Sequence, residues 1–161
     1  MKNVLKAMAV ALCTALTLGL VGCQPDNEDL IIGSWQVEKQ VYTMSDGTHS
    51  HTETETMAPG ETGVITFNKD LSFVATTTWV EDGETTSESE RGTYSISGDL
   101  LTMVGTDSWE DDNGEWHSEV VTMTLTINSL DKKEMVLSMS ETETEDGTTY
   151  TYSTEITFKK I

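Results

Sequence analysis

An all-β chain is the fold class this sequence predicts: an eight-stranded antiparallel up-and-down meander that closes into a barrel. Three observations carry it. From Ile31 onward no long stretch has helical periodicity, while Thr, Val, Ile and aromatic residues alternate with polar ones. Turn dipeptides recur at short intervals, among them Asp82-Gly83, Asn113-Gly114 and Asp146-Gly147. Finally, a meander with a single apolar face must hide its edges, and pairing the last strand with the first does so.

The chain begins with a leader. Lys2 and Lys6 precede an apolar run from Ala7 to Val21 that only Thr14 and Thr17 interrupt. Such a run is short for a membrane span, which needs about 20 residues, and suits a secretory signal. It ends in Leu20-Val21-Gly22-Cys23, which resembles a bacterial lipoprotein processing box. That resemblance implies cleavage after Gly22 and lipidation of Cys23. Cys13 is the poorer site, because Leu12 stands where the processing pocket takes a small residue. Residues 1–22 are therefore read as signal peptide, 23–30 as a polar tether and 31–161 as the barrel domain. Asp26, Glu28 and Asp29 in the tether resemble the export signal of surface lipoproteins and equally suit a solvated linker. The expected location is the cell envelope: held by lipid, in the outer membrane of a Gram-negative bacterium, and there either periplasmic or facing outward.

Losing the leader leaves 139 residues in which seven basic side chains face 28 acidic ones, a formal charge of −21. Phosphate backbones would be repelled, so no nucleic-acid partner is expected. With Cys13 removed and Cys23 modified no thiol remains for a disulfide, and stability must come from packing.

Eight strands, A to H, are expected at residues 33–43, 64–68, 71–80, 85–97, 100–109, 115–127, 134–144 and 148–160. A turn at Asp146-Gly147 sets Phe158 beside Met135 and Ile156 beside Leu137, and a turn at Asp82-Gly83 sets Phe73 beside Gly92. Strand F places Val121, Met123, Leu125 and Ile127 on one face and Trp116 on the other, which calls for a bulge at an unspecified place. Trp109 and Trp116 are expected to meet across the E–F hairpin.

Gly33-Ser34-Trp35 at the start of strand A resembles the Gly-x-Trp signature of lipocalins, and the stretch from Gly92 to Leu100 is similar to small bacterial lipocalin-like lipoproteins. The resemblance covers Ile31 to Ile161. It implies a barrel whose closed end is packed by Trp35, with Phe67, Phe73 and Phe158 as neighbours. Lipocalins usually cover that Trp with an Arg near the final strand; only Lys159 and Lys160 are available here, and the C-terminal helix of larger lipocalins is missing.

In such a meander alternate loops share an end. One mouth collects fifteen acidic residues and no Lys or Arg, while the other holds Lys69, Lys132, Lys133, Lys159 and Lys160. At the acidic mouth the registers bring Tyr150 beside Glu143 and Tyr152 beside Glu141, with Trp79 and Glu90 on the same inner face. Aromatic faces among carboxylates suit a small polar or cationic ligand better than a fatty acid. The leading expectation is a lipid-anchored, non-catalytic binding protein; the alternative is an envelope interaction or accessory module with a filled barrel and no small ligand. Neither a cofactor nor a metal is expected. His49 and His51 share a side of an extended segment, but His117 is the only other imidazole. The Asp111-Asp112-Asn113-Gly114 tip lacks the ligand spacing of an EF-hand loop. No phosphate loop, nucleophile elbow or Cys–His pair occurs.

Overall fold

The computed structural model describes residues 26–161 apart from 82, 111–113 and 146. The processing box and Cys23 lie outside the described residues. A short helix, α1 (Asn27–Ile31), precedes nine strands: β1 (Gly33–Ser45), β2 (Ser50–Glu55), β3 (Thr62–Phe67), β4 (Ser72–Glu81), β5 (Glu84–Ser97), β6 (Leu100–Glu110), β7 (Trp116–Leu130), β8 (Glu134–Glu145) and β9 (Thr148–Lys160). All pairings are antiparallel between sequence neighbours, except that β3 pairs with β1 and β9 returns to β1. Eight strands thus form a closed antiparallel barrel, as the sequence predicts, and β2 is one strand more.

The extra strand corrects the expected A–B loop. Asp46-Gly47-Thr48-His49 is a tight turn in which the Asp46 carboxylate accepts the backbone N–H groups of His49 (2.6 Å) and Thr48 (2.8 Å). The chain then runs back along the second half of β1, from Ser45↔Ser50 to Gln40↔Glu55. The second half of the stretch read as tether, with the first residue of the expected barrel domain, is helical (Asn27–Ile31), and Leu30 and Ile31 are buried under the barrel floor. β4–β5 and β8–β9 are paired up to Glu81↔Glu84 and Glu145↔Thr148, the registers expected from Asp82-Gly83 and Asp146-Gly147, of which Asp82 and Asp146 lie outside the described residues. The β6–β7 connection is longer, because its last pair is Glu110↔Trp116. Trp116 therefore lies opposite Glu110 and not Trp109.

The core occupies one half of the barrel. Ile31, Trp35, Ile65, Phe67, Phe73, Tyr94, Leu101, Leu125, Ile127, Met135, Leu137 and Phe158 form one buried cluster. Phe67 and Tyr94 meet edge to face at 4.9 Å, and the Tyr94 hydroxyl donates to the Asn68 carbonyl (2.9 Å). Burial raises the Tyr94 phenol above its ordinary pKa, and the nearby Asp70 and Glu28 carboxylates add to this.

Closure is limited to that half. β5 pairs with β6 only from Ser97↔Leu100 to Gly92↔Gly105, and β7 with β8 only from Leu130↔Met135 to Thr126↔Ser138. β3 reaches no further along β4 than Thr62↔Thr78. Beyond these points the sheet divides into three ribbons: β4–β5, β6–β7, and the four strands β8–β9–β1–β2. The side-chain pattern explains the split. Inward positions are apolar up to Ala75, Met103 and Met139; above them stand Glu88, Glu90, Glu119, Glu141, Glu143 and, on β2, Glu53 and Glu55. Closing the upper half would desolvate and crowd carboxylates, whereas closing the lower half removes apolar surface from water. Two local features mark the split. A Cβ on Gly92 would overlap the Val104 carbonyl and the Phe73 ring, so this last β5–β6 pair requires glycine. On the other side a bulge lies between Ile127 and Ser129, where Asn128 accepts from Ser138 Oγ (3.1 Å) and donates to Glu155 (3.2 Å). The bulge expected within strand F is not there: pairing with β6 is unbroken from Trp116 to Thr126, and the bulge at Asn128 lies past the strand's expected end. Trp116 stays on the outer face and is 72% exposed.

The tight turns carry a pH signature. The Asp131 carboxylate accepts the Lys133 and Glu134 N–H groups (2.7 and 2.8 Å), and Asp70 accepts Ser72 Oγ and N–H (2.6 and 3.1 Å). These bonds hold both carboxyls below their ordinary value of 3.8, as the bonds to His49 and Thr48 do for Asp46. A depressed folded-state pKa contributes stability above the unfolded value and loses it as pH falls through the folded one. Acidification also relieves repulsion across the whole acidic surface, so a difference is the clean measurement. The stability lead of wild type over Asp131→Asn, from urea unfolding, is expected to be constant near neutrality and to shrink below pH 3.8. A lead that widens in acid contradicts this account.

Candidate functional site

The closed end is built around Trp35. Its indole N–H donates to the Ile31 carbonyl (2.6 Å) at the end of α1. Lys160 is its cross-strand partner on β9. The Lys160 ammonium lies 4.7 Å from the Trp35 ring centroid and donates to the Leu30 carbonyl (3.0 Å). Gly33 has a φ of +126°, and a Cβ there would lie 2.9 Å from Lys160 Cε. The glycine two residues before the tryptophan therefore makes room for the lysine that covers it. Of the two lysines singled out from the sequence, Lys160 takes this place; Lys159 pairs with Glu38 on the exterior, which raises the Lys159 pKa. Trp35, Phe67, Phe73 and Phe158 are all buried here.

The far end carries the residues expected to meet a ligand, and the structure divides them. Glu141↔Tyr152 and Glu143↔Tyr150 are cross-strand pairs on β8–β9. Trp79 and Glu90 belong to the β4–β5 ribbon, where Trp79 pairs with Thr86 and Glu90 with Ala75. The Glu90 side chain folds down over Gly105 at the top of the core.

Pairing across four strands adds residues to the β8–β9 group. The register runs Glu141–Tyr152–Met44–His51 in one row and Met139–Thr154–Tyr42–Glu53 in the next. A bulge between Val37 and Lys39 shifts β1 so that Tyr42 and Met44 share the inner face with Tyr152. Tyr42 (38% exposed), Met44 (44%) and Tyr152 (41%) form a half-open aromatic and thioether strip. Carboxylates border it on both sides: Glu141 and Glu143 on β8, Glu53 and Glu55 on β2. The Tyr42 hydroxyl donates to Gln40 Oε1, and His51 Nε2 lies 2.9 Å from Glu53. Sequence reasoning missed Met44 and Glu53 because it treated residues 44–63 as loop, and Tyr42 because plain alternation from Trp35 puts it on the outer face of strand A, which the bulge between Val37 and Lys39 reverses. Asp46-Gly47, a hairpin dipeptide like those used elsewhere in the chain, was the signal that could have found β2.

A model of the lipocalin-like domain matches residues 31–137. The chain belongs to the lipocalin-like domain family. No curated protein matches it. Membership accords with the Trp35 floor and gives a fold of binding proteins, on which any site depends on particular side chains.

Two other features of this lipocalin-like barrel lie apart from the tyrosine strip or do not converge. A groove of about 530 Å³ lined by Asn27, Glu28, Leu30, Ile96, Asp99 and Leu130 is the open seam where α1 lies against the floor, at the end opposite the tyrosines. Among the described residues no three His, Cys, Asp or Glu side chains converge on a metal position. His49 lies against Asp46 and His51 against Glu53, so the two imidazoles do not act together. The acidic tip at 111–113 lies outside the described residues.

Replacing Lys160 by Ala removes a cation–π contact and a hydrogen bond, and is expected to cost about 1–2 kcal/mol. Lys160→Arg should recover most of it. Urea unfolding followed by far-UV circular dichroism measures both, and an unchanged midpoint for Lys160→Ala would show that the floor does not need its cover.

Proposed function

We propose that this protein is a lipid-anchored, non-catalytic binding protein that holds a small polar or cationic molecule against the inner face of the β8–β9–β1–β2 ribbon. One observation carries the reading: cross-strand register sets Tyr42, Met44 and Tyr152 between two ladders of carboxylates. A tyrosine face attracts a cation through its ring quadrupole, and flanking carboxylates add charge without enclosing the ligand. A fatty acid would meet repulsion from those acids and would find the apolar half of the barrel already filled by side chains. Trp79 and Glu90 belong to the opposite wall.

The anchor reading rests on Leu20-Val21-Gly22-Cys23 and the leader before it. α1 enters the barrel at its floor, so a lipid on Cys23 would set the carboxylate-rich end away from the membrane, in the outer membrane of a Gram-negative envelope. The exposed Trp116 and Val120 favour a second reading, an interaction surface on β7.

Titrating the protein with choline, spermine, a hexose and a fatty acid tests the ligand class. Choline and spermine are expected to shift the NMR signals of Tyr152 and Tyr42, and Tyr152→Ala and Glu141→Gln to weaken the response about fivefold each. A response confined to the fatty acid would overturn the proposal. For the anchor, Cys23→Ala should move the protein from the membrane to the soluble fraction; continued membrane retention would refute lipidation at that position.

A further inference from the structure

The longest open strand edge in the described barrel is on β7. From Trp116 to Leu125 this strand pairs with β6 on one side, while its other side, which faces β8 below the split, has no strand beside it. The backbone direction follows from one bond. Ile127 N–H donates to the Asp99 carbonyl (2.7 Å), toward β6. Because N–H and C=O groups alternate sides along an antiparallel strand, those of Ser118, Val120, Thr122 and Thr124 point to the open side. An edge of this kind is a template for another strand, and proteins usually shorten or block such edges. This one is long, continuous in register and without proline.

Its side chains specify what would fit. On the outer face Trp116 and Val120 are each 72% exposed. On the inner face the register places Glu119, with Glu141 and Glu143 on the β8 side of the gap. Neither residues 106–125 nor residues 138–152 contain a Lys or Arg. A second copy of this chain would bring the same carboxylates to the gap, and nothing in the sequence after Cys23 alternates basic with apolar residues. We propose that the β7 edge takes up an extended segment of another protein, one that alternates Lys or Arg with apolar residues. Its basic side chains would point inward to the glutamates and its apolar ones outward, beside Trp116 and Val120. Main-chain hydrogen bonds to Val120, Thr122 and Thr124 would supply affinity, and the alternation would supply specificity. This interaction is separate from the amine reading, which concerns the tyrosines of another ribbon.

The test is amide hydrogen exchange on the full chain in detergent, with a synthetic peptide of about eight residues alternating Lys and Val, a length matched to a strand. Exchange at Val120, Thr122 and Thr124 is expected to slow, and N-methylation of the peptide amides that would face β7 to weaken binding at least tenfold. Thr122→Pro, which removes a donor on the open side only, should abolish binding with the circular dichroism spectrum unchanged. Should that variant misfold, the N-methylated peptide decides on the wild-type chain. The proposal is overturned if the N-methylated peptide or a Glu–Val peptide binds as tightly, if spermine alone slows exchange at the same β7 amides, if protection falls on β5 or β8 instead, or if the same amides are protected without peptide by self-association. Loss of the amine response at Tyr152 would leave these outcomes unaffected.

Discussion

Everything in this structure hangs on the pairing of β9 with β1. It runs from Trp35↔Lys160 to Ser45↔Thr151, all but the first three residues of the final strand. Without it the meander would be an open sheet with a wet apolar face and two long edges. With it, Trp35 is fixed at the floor, Lys160 lies over its ring, and the end of α1 is tied to both through the Ile31 and Leu30 carbonyls. The same pairing, continued past the bulge at Val37–Lys39, aligns Tyr42 and Met44 with Tyr152. Floor and candidate site are two ends of one ladder.

The barrel changes character midway along that ladder. Below the Gly92–Gly105 pair and the Asn128 bulge, inward side chains are apolar and the ring is complete. Above them acids, threonines and tyrosines join a few apolar side chains such as Met44 on the inner face, and the strands remain in ribbons. Burial drives closure only where there is apolar surface to bury. Where carboxylates face a common space, hydration and mutual repulsion favour separation. The open edges and the exposed inner strip of the four-stranded ribbon are consequences of that one change in composition.

A binding protein with this shape differs from a deep closed cup. Its aromatic strip lies on a ribbon that solvent reaches from both sides, and its apolar half is filled. Such a surface favours ligands recognised by charge and by ring faces over ligands recognised by enclosure. The strand edge on β7 belongs to the same open half, so both proposed interactions depend on the barrel staying incompletely closed.

Particular residues show how far the sequence could be read. Asp146-Gly147 in the sequence implies the β8–β9 register, so Phe158 beside Met135 and Tyr152 beside Glu141 are legible from the sequence alone. Asp82-Gly83 does the same for Phe73 beside Gly92. Gly33-x-Trp35 identified the floor and left two lysines as candidates to cover it. Local signals failed where the chain departed from one strand per segment: β2 within a supposed loop, a helix within a supposed tether, and the bulges at Val37–Lys39 and Ile127–Ser129.

The sequence by itself determined the strands, most of their registers and the segregation of apolar from acidic inward positions, because alternation and turn chemistry act between near neighbours. Only the tertiary structure decided where closure stops, which lysine covers Trp35, and that Tyr42 on β1 stands between Tyr152-bearing β9 and Glu53-bearing β2. Those outcomes depend on contacts between segments far apart in the chain, where the balance between burying a methyl and burying a carboxylate is set by what arrives on the facing strand.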